Sequence, residues 1–177
     1  MREMGRLCAC AAVLLVTVMA VSGCRASRGT PRYYEYLNQE GNLALSGEVN
    51  GVGVEATLRF AARDGGGAVQ LPDYALTYTS PAALAGVSVR YEAATGERTV
   101  SLGEMQRQTE ECGLDDIAEA IVCERAVRTA THQGEALVLT LDDGTVLTLN
   151  AQTGQPTAIA RASGDTTFRL QIRAAEE

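Results

Sequence analysis

Apolar residues recur at every second position over most of the chain from Leu43 onward, and this period of two constrains the fold more than any other feature. Leu43, Leu45 and Val49 alternate with small or polar residues, and the alternation continues from Val52 to Phe60. Successive side chains of a β-strand point to opposite faces, so each segment predicts a strand with one apolar and one polar face. Such strands form antiparallel sheets with one face in water, and the other face must be covered.

Two short turns predict how neighbouring strands pair. Asn50-Gly51 suits the two positive-φ positions of a type I′ turn, and a two-residue loop places Val49 opposite Val52. Farther along, a two-residue loop at Asp143-Gly144 would put the flanking leucines on opposite faces. A three-residue loop, 142–144, with a left-handed glycine aligns them, so we predict that bulged turn.

The predicted order is a helix, about six strands, a helical insert and about four strands, in the α+β class. A helix beginning at Thr30-Pro31 and ending before Gly41 opens this order, and a strand is expected over 68–72. The insert spans 104–131, with a short helix near 104–111 and a longer one near 115–130. The longer helix carries an apolar stripe that includes Ile117, Ala118 and Ile121. We expect one domain, 32–177, with both helical regions covering the concave face of a curved sheet.

The first 23 residues have the pattern of an export signal. Arg2 and Arg6 precede an uncharged apolar run from Leu7 to Val21, which is too short for a permanent membrane span. Val21-Ser22-Gly23-Cys24 resembles the bacterial lipobox. That resemblance implies cleavage before Cys24 and attachment of fatty acid (palmitate or a similar acyl chain) to its sulfur. Residues 24–31 then read as a lipidated tether, and the domain is expected at the extracytoplasmic face of the cell membrane.

A second resemblance concerns the fold. The order of elements after a lipobox, and the segments 74–78, 80–86 and 87–89, are similar to those of the LolA/LppX-like lipoprotein superfamily. This resemblance implies a half-open antiparallel barrel whose helices lie across the concave face. It also implies that acyl chains or lipidated polypeptide bind between sheet and helices.

The apolar side chains predicted to line that space come from strands throughout the chain. Each of them could equally be part of an ordinary core. They are Val54, Leu58, Phe60, Val89, Leu139, Leu149, Phe168 and Leu170.

Composition narrows the function. The chain has 15 basic residues, all arginine, and 22 acidic ones, which argues against a nucleic-acid partner because duplex binding needs a basic patch. Its one histidine, His132, excludes multi-histidine metal sites, and we interpret it as a surface residue at a helix end. No catalytic motif is present, so we expect no enzyme, no cofactor and no metal.

Two groups of residues in the insert have alternative interpretations. We interpret the carboxylates Glu110, Glu111, Asp115 and Asp116 as helix capping and a solvated acidic face, because their spacing does not suit a calcium loop. Cys112 and Cys123 are the cysteines that remain after lipidation. They either form a disulfide or stay as two free thiols, and the sequence does not decide between these alternatives.

The leading functional prediction is a membrane-anchored, monomeric lipoprotein that binds or carries a hydrophobic, lipid-like ligand. The alternative is an envelope lipoprotein with a filled core that docks on another envelope protein. A hydrolase built on carboxylates is the third and weakest possibility.

Overall fold

The computed structural model describes residues 33–63, 71–110 and 112–175 of the chain. The predicted signal segment, lipobox and tether lie outside the described residues, as does most of the strand predicted at 68–72. The predicted helix start at Thr30-Pro31 also lies outside them. Tyr34–Glu177 forms one compact unit.

Eleven strands and one α-helix form the described part, together with a 3-10 helix at Glu35–Asn38. The strands before the α-helix are β1 (Gly41–Val49), β2 (Val52–Phe60), β3 (Tyr74–Ser80), β4 (Val87–Glu92), β5 (Glu97–Leu102) and β6 (Met105–Thr109). The helix, α1, is Asp116–Val122. The strands after it are β7 (Val127–Gln133), β8 (Ala136–Leu141), β9 (Val146–Asn150), β10 (Pro156–Arg161) and β11 (Phe168–Ala174).

All eleven strands belong to one curved antiparallel sheet, in agreement with the predicted class. Its order is β6-β5-β4-β3-β2-β1-β11-β10-β9-β8-β7, so each strand pairs with its sequence neighbour except at the centre. There the first and last strands pair, with Leu45 opposite Ile172. The sheet is open because β6 and β7 are its two edges.

Both predicted turns are confirmed. Asn50 and Gly51 have φ values of 50° and 77°, and Val49 lies opposite Val52. At the second turn, Leu139 pairs with Leu147, and the Leu141 amide donates to the Thr145 carbonyl oxygen. Three residues therefore form the loop, with Gly144 at φ 82°.

The prediction of a helical insert over 104–131 is largely wrong. Only Asp116–Val122 is α-helical, and the segments on either side are the strands β6 and β7. Each of these strands belongs to a hairpin with a two-residue Gly-Glu loop, at Gly103-Glu104 and Gly134-Glu135. Both glycines have positive φ, 59° and 61°, as a first loop position of this kind requires. The residues of β6 and β7 are mostly polar and exposed, so apolar residues do not alternate along these two strands and the sequence does not indicate them.

Candidate functional site

The candidate site is the inner face of the sheet, defined here as the face that carries Leu43, Leu58 and Leu76. All eight residues predicted to line a ligand space lie on this face or pack into it, and none is more than 6% exposed. Cross-strand register joins several of them: Val54 and Leu170 both lie opposite Gly47, and Leu58 and Val89 both lie opposite Leu76. All eight are therefore buried side chains of the inner face, and their role in lining a ligand space stays a prediction.

In the described part of the chain, α1 packs on this face. Five of its seven residues are buried, namely Ile117, Ala118, Ala120, Ile121 and Val122. Ile117 and Ile121 are four positions apart, which places both on one side of the helix. Asp116 and Glu119 lie in its first turn, where their negative charges interact favourably with the helix dipole and stabilise the helix. Within the described residues, the 3-10 helix also contributes buried side chains, Tyr36 and Leu37.

Tyrosine hydroxyl groups attach the region of α1 to the 3-10 helix and to the sheet. The Tyr36 hydroxyl donates to the Ile121 carbonyl oxygen at 2.6 Å, and the Tyr78 hydroxyl donates to the Leu114 carbonyl oxygen at 2.5 Å. Burial raises the pKa of Tyr78 to about 12, and burial raises that of Tyr36 further. Each hydroxyl therefore stays protonated and donates to its carbonyl over the whole physiological pH range.

A buried ionic cluster fixes the beginning of α1. Arg98 on β5 donates from Nε to Asp115 Oδ2 at 2.9 Å and also pairs with Glu119. The Tyr74 hydroxyl donates to the same Asp115 oxygen at 2.5 Å, and Asp115 is only 1% exposed. The Tyr91 ring stacks on Tyr74, with centroids 5.2 Å apart, and lies 5.0 Å from Arg98 Cζ.

This cluster corrects the interpretation of Asp115 as part of a solvated acidic face, whereas Glu110 is exposed and Glu111 lies outside the described residues. Asp115 is buried, and Asp116 accepts a hydrogen bond from the Thr166 hydroxyl. Sequence reasoning also missed Arg98 and Tyr74 as partners of Asp115. No local signal could have found them, because Tyr74 and Asp115 are 41 positions apart and lie on different elements.

A second ionic cluster follows α1. Asp143, in the turn between β8 and β9, pairs with Arg125 and with Arg161, the latter at 2.7 Å. Partial burial opposes ionisation of Asp143, but hydrogen bonds from Thr145 and the two guanidinium groups outweigh it and lower its pKa. Arg63 pairs with Glu124 beside this cluster. The segment 110–126 is thus attached at both ends by charged and hydroxyl side chains.

The two cysteines lie on either side of α1. Both are half-buried free thiols, and burial raises the pKa of each. The seven helical residues between them advance about 10 Å along the axis, whereas a disulfide joins Cα atoms about 5.5 Å apart. A disulfide between Cys112 and Cys123 would therefore require α1 to rearrange. Both alternatives for these cysteines, a disulfide and two free thiols, stay predictions.

His132 lies in β7 and is exposed, so its predicted position at a helix end is wrong. Among the described residues, no group of three or more histidine, cysteine or acidic side chains is placed to hold a metal ion. In that same part of the chain, no helix combines the length and apolar character needed to cross a bilayer.

The large apolar side chains that are exposed in the described part lie at one end of the sheet. They are Val52 at 51%, Leu102 at 45% and Met105 at 69%. Leu102 lies opposite both Val87 and Met105, and Val52 is two positions before Val54, so all three belong to the inner face. We call them the apolar lip. All three adjoin hairpin turns at the same end of the sheet.

No protein-family model matches the chain, and no curated protein matches it in sequence. Solved structures match it in fold. One is a LolA superfamily protein from Nitrosomonas europaea, which is 10% identical, with a TM-score of 0.40 over 77% of this chain and 84% of that one. Another is an outer membrane lipoprotein-sorting protein domain from Vibrio parahaemolyticus, 8% identical, with a TM-score of 0.37 over 76% and 84%.

Proposed function

We propose that this chain is a lipid-anchored extracytoplasmic protein that binds a hydrophobic, acyl-chain-like ligand between the inner face and α1, without catalysing a reaction. The apolar lip is the observation that carries this proposal. Exposed apolar side chains cost free energy in water, and a continuous apolar path from the surface into a core is typical of a ligand entrance. The row Tyr78, Val87, Leu102 and Met105 forms such a path.

The way in which α1 is held supports reversible binding. The helix has only seven residues, and isolated helices of that length are not stable in water. Its position therefore depends on tertiary contacts, namely five buried side chains and the polar attachments at Asp115, Ile121 and Arg125. A ligand that replaced the apolar contacts of α1 would offset much of the cost of displacing it.

A filled-core interaction protein is the second candidate, and the burial of the inner face favours it. The eight predicted lining residues are already between 0% and 6% exposed without any ligand. In this alternative the apolar lip is a contact surface for another envelope protein, and α1 never leaves the sheet.

Ligand uptake at the lip can be tested with a matched pair of variants on β6. Met105 and Gln106 are neighbouring exposed residues that point to opposite faces. We expect Met105→Glu to weaken binding of a fluorescent fatty acid about tenfold, because it places a charge in the apolar path. Gln106→Glu adds the same charge on the outer face and should leave binding unchanged. Absence of binding by the unaltered protein would reject the ligand proposal and favour the filled core.

Native mass spectrometry gives an independent comparison of the two candidates. The chain from residue 25 onward retains the whole compact unit and carries no lipid of its own. Co-purifying lipid, bound one to one, would support the ligand-binding protein. A bare mass after mixing with fatty acid would contradict it.

The lipid anchor is tested at Cys24. We expect Cys24→Ser to move the protein from the membrane fraction to the soluble fraction, since the acyl chains supply the membrane affinity. Mass spectrometry of the N-terminal peptide should find fatty acid on the unaltered protein. An unacylated Cys24, or an uncleaved signal segment, would contradict the anchor.

A further inference from the structure

The outer face of the sheet, opposite the inner face, carries a groove that the proposed lipid site does not use. It has a volume of about 780 Å³ and lies where β1 to β5 run side by side. Volumes of this size are typical of small-molecule sites. Its lining contains two arginines, Arg59 and Arg90, and three acidic residues, Glu40, Asp73 and Glu92.

The two arginines belong to one cross-strand row. Arg59 lies opposite Asn42 and Ala75, and Arg90 lies opposite Ala75 and Thr99. Neighbouring strands are about 4.8 Å apart, so the two arginines leave the sheet about 10 Å apart. Ala75 between them has a side chain too short to fill the gap. The two guanidinium groups therefore lie on either side of an open space above Ala75.

The acidic residues form a second row at the end of the groove. Glu40, Asp73 and Glu92 are each two positions along the chain from Asn42, Ala75 and Arg90, and alternation places them on the same outer face. Two strand residues span about 7 Å. Asp73 Oδ1 accepts from the Ala93 amide at 2.6 Å, and Glu92 Oε2 accepts from the Thr95 hydroxyl at 3.3 Å. Neither acid is neutralised by these contacts.

The charges of the two rows do not pair with each other. The ion pairs among described residues use Arg63, Arg98, Arg125 and Arg161. Within the described residues, neither Arg59 nor Arg90 forms an ion pair or a side-chain hydrogen bond. In addition, Asn42 Oδ1 is buried in the described structure without a hydrogen-bond partner. A buried acceptor without a donor costs free energy, which a donor on a ligand would offset.

We propose that this groove binds a short zwitterionic peptide, with its carboxylate between Arg59 and Arg90 and its ammonium group toward the acidic row. Guanidinium groups match carboxylates through paired hydrogen bonds, and ammonium groups are pure donors that suit carboxylate and amide oxygens. The row spacing of about 7 Å equals the span of two extended residues. It therefore selects a dipeptide over a longer chain.

Titration calorimetry on the chain from residue 25 onward, with alanyl-alanine as the probe, tests this proposal. We expect binding that weakens about tenfold when either the N-terminus is acetylated or the C-terminus is amidated, because each cap removes one charged contact. Tetra-alanine should bind about tenfold more weakly, since its two charges are too far apart for both rows. Arg59→Gln and Arg90→Gln should each have a similar effect.

Arg173→Gln provides the matched control. Arg173 is an exposed arginine of the same face, on β11 and outside the groove. Its substitution should leave binding unchanged, and thermal denaturation establishes that all three variants fold. No binding of alanyl-alanine at millimolar concentration would overturn the proposal, as would equal binding of the capped peptides or of tetra-alanine. None of these outcomes affects the lipid proposal, because the two sites lie on opposite faces.

Discussion

Arg98 donates a hydrogen bond from Nε to Oδ2 of Asp115 across 2.9 Å, and this contact joins the fifth strand to the residue that precedes α1. The Tyr74 hydroxyl donates to the same oxygen, and the Tyr91 ring, which stacks on that of Tyr74, lies 5.0 Å from Arg98 Cζ. The side chain of Asp115 is 1% exposed and that of Arg98 is 15% exposed. A charge pair so far from water is sensitive to loss of one partner, because the other partner then remains buried and uncompensated.

Arg98→Ala is therefore expected to destabilise the protein by about 3 kcal/mol, since it leaves the Asp115 carboxylate with only the Tyr74 hydroxyl as a side-chain partner. Urea unfolding followed by circular dichroism measures the change. Arg107→Ala, at an exposed arginine on the adjacent strand β6, should cost less than about 0.5 kcal/mol. Equal effects of the two substitutions would show that the ionic cluster does not stabilise α1.

Tyr36→Phe tests the attachment of the helix end. Removing the hydroxyl leaves the buried Ile121 carbonyl oxygen without this donor, and we expect a loss of about 1–2 kcal/mol in the free energy of unfolding. Hydrogen exchange should also accelerate at the amides of α1. Tyr91→Phe is the control, because the Tyr91 ring is retained and its hydroxyl has no hydrogen bond to a described residue. An unchanged exchange rate in the Tyr36 variant would contradict the attachment.

Gly47→Ala is expected to disturb the centre of the sheet. Gly47 has a φ of 153°, and a Cβ atom there would lie 2.1 Å from the backbone oxygen of Arg169 on β11. Because backbone must move to accommodate it, we expect a cost of about 3 kcal/mol. Gly53→Ala, on β2 and with no atom closer than 4.0 Å to its Cβ position, should be nearly neutral. Thermal denaturation of the two variants compares them directly.

Asp143 is expected to contribute to loss of stability in acid. Its pKa is lower in the folded protein than in the unfolded chain, where the pKa of an aspartate is about 4. Its contribution is therefore complete above about pH 4 and is lost as the pH falls through the lower, folded pKa. Asp143→Asn should reduce stability at pH 7 by about 1 kcal/mol and lessen the further loss between pH 4 and pH 2.

Asp142→Asn is the control for this pH dependence, because Asp142 is the exposed neighbour in the same turn. Its substitution should leave both the stability at pH 7 and the acid limb unchanged. Urea unfolding at a series of pH values gives both quantities. An acid limb that is the same in the Asp143 variant and the unaltered protein would exclude the pairing with Arg125 and Arg161.

The sequence predicted most strands before α1 and those after β7. Each of these strands has one buried and one solvent-exposed face, so apolar residues recur at every second position. It also predicted the turns at Asn50-Gly51 and 142–144, whose geometry requires particular residues at particular positions. It failed at β6 and β7, where the side chains are exposed on both faces and no period remains. The Gly-Glu loops at Gly103 and Gly134 were the signals that could have identified these two hairpins.

By itself, then, the sequence determined which side chains face inward, because strand alternation is a local property of the backbone. It could not determine what covers them. The contacts of Arg98 with Asp115, of Tyr36 with Ile121 and of β1 with β11 join residues 17, 85 and more than 100 positions apart. Contacts over such separations leave no local pattern. Only the tertiary structure established that α1 packs on the inner face and that two rows of charge lie on the outer face without an ion pair to another described residue.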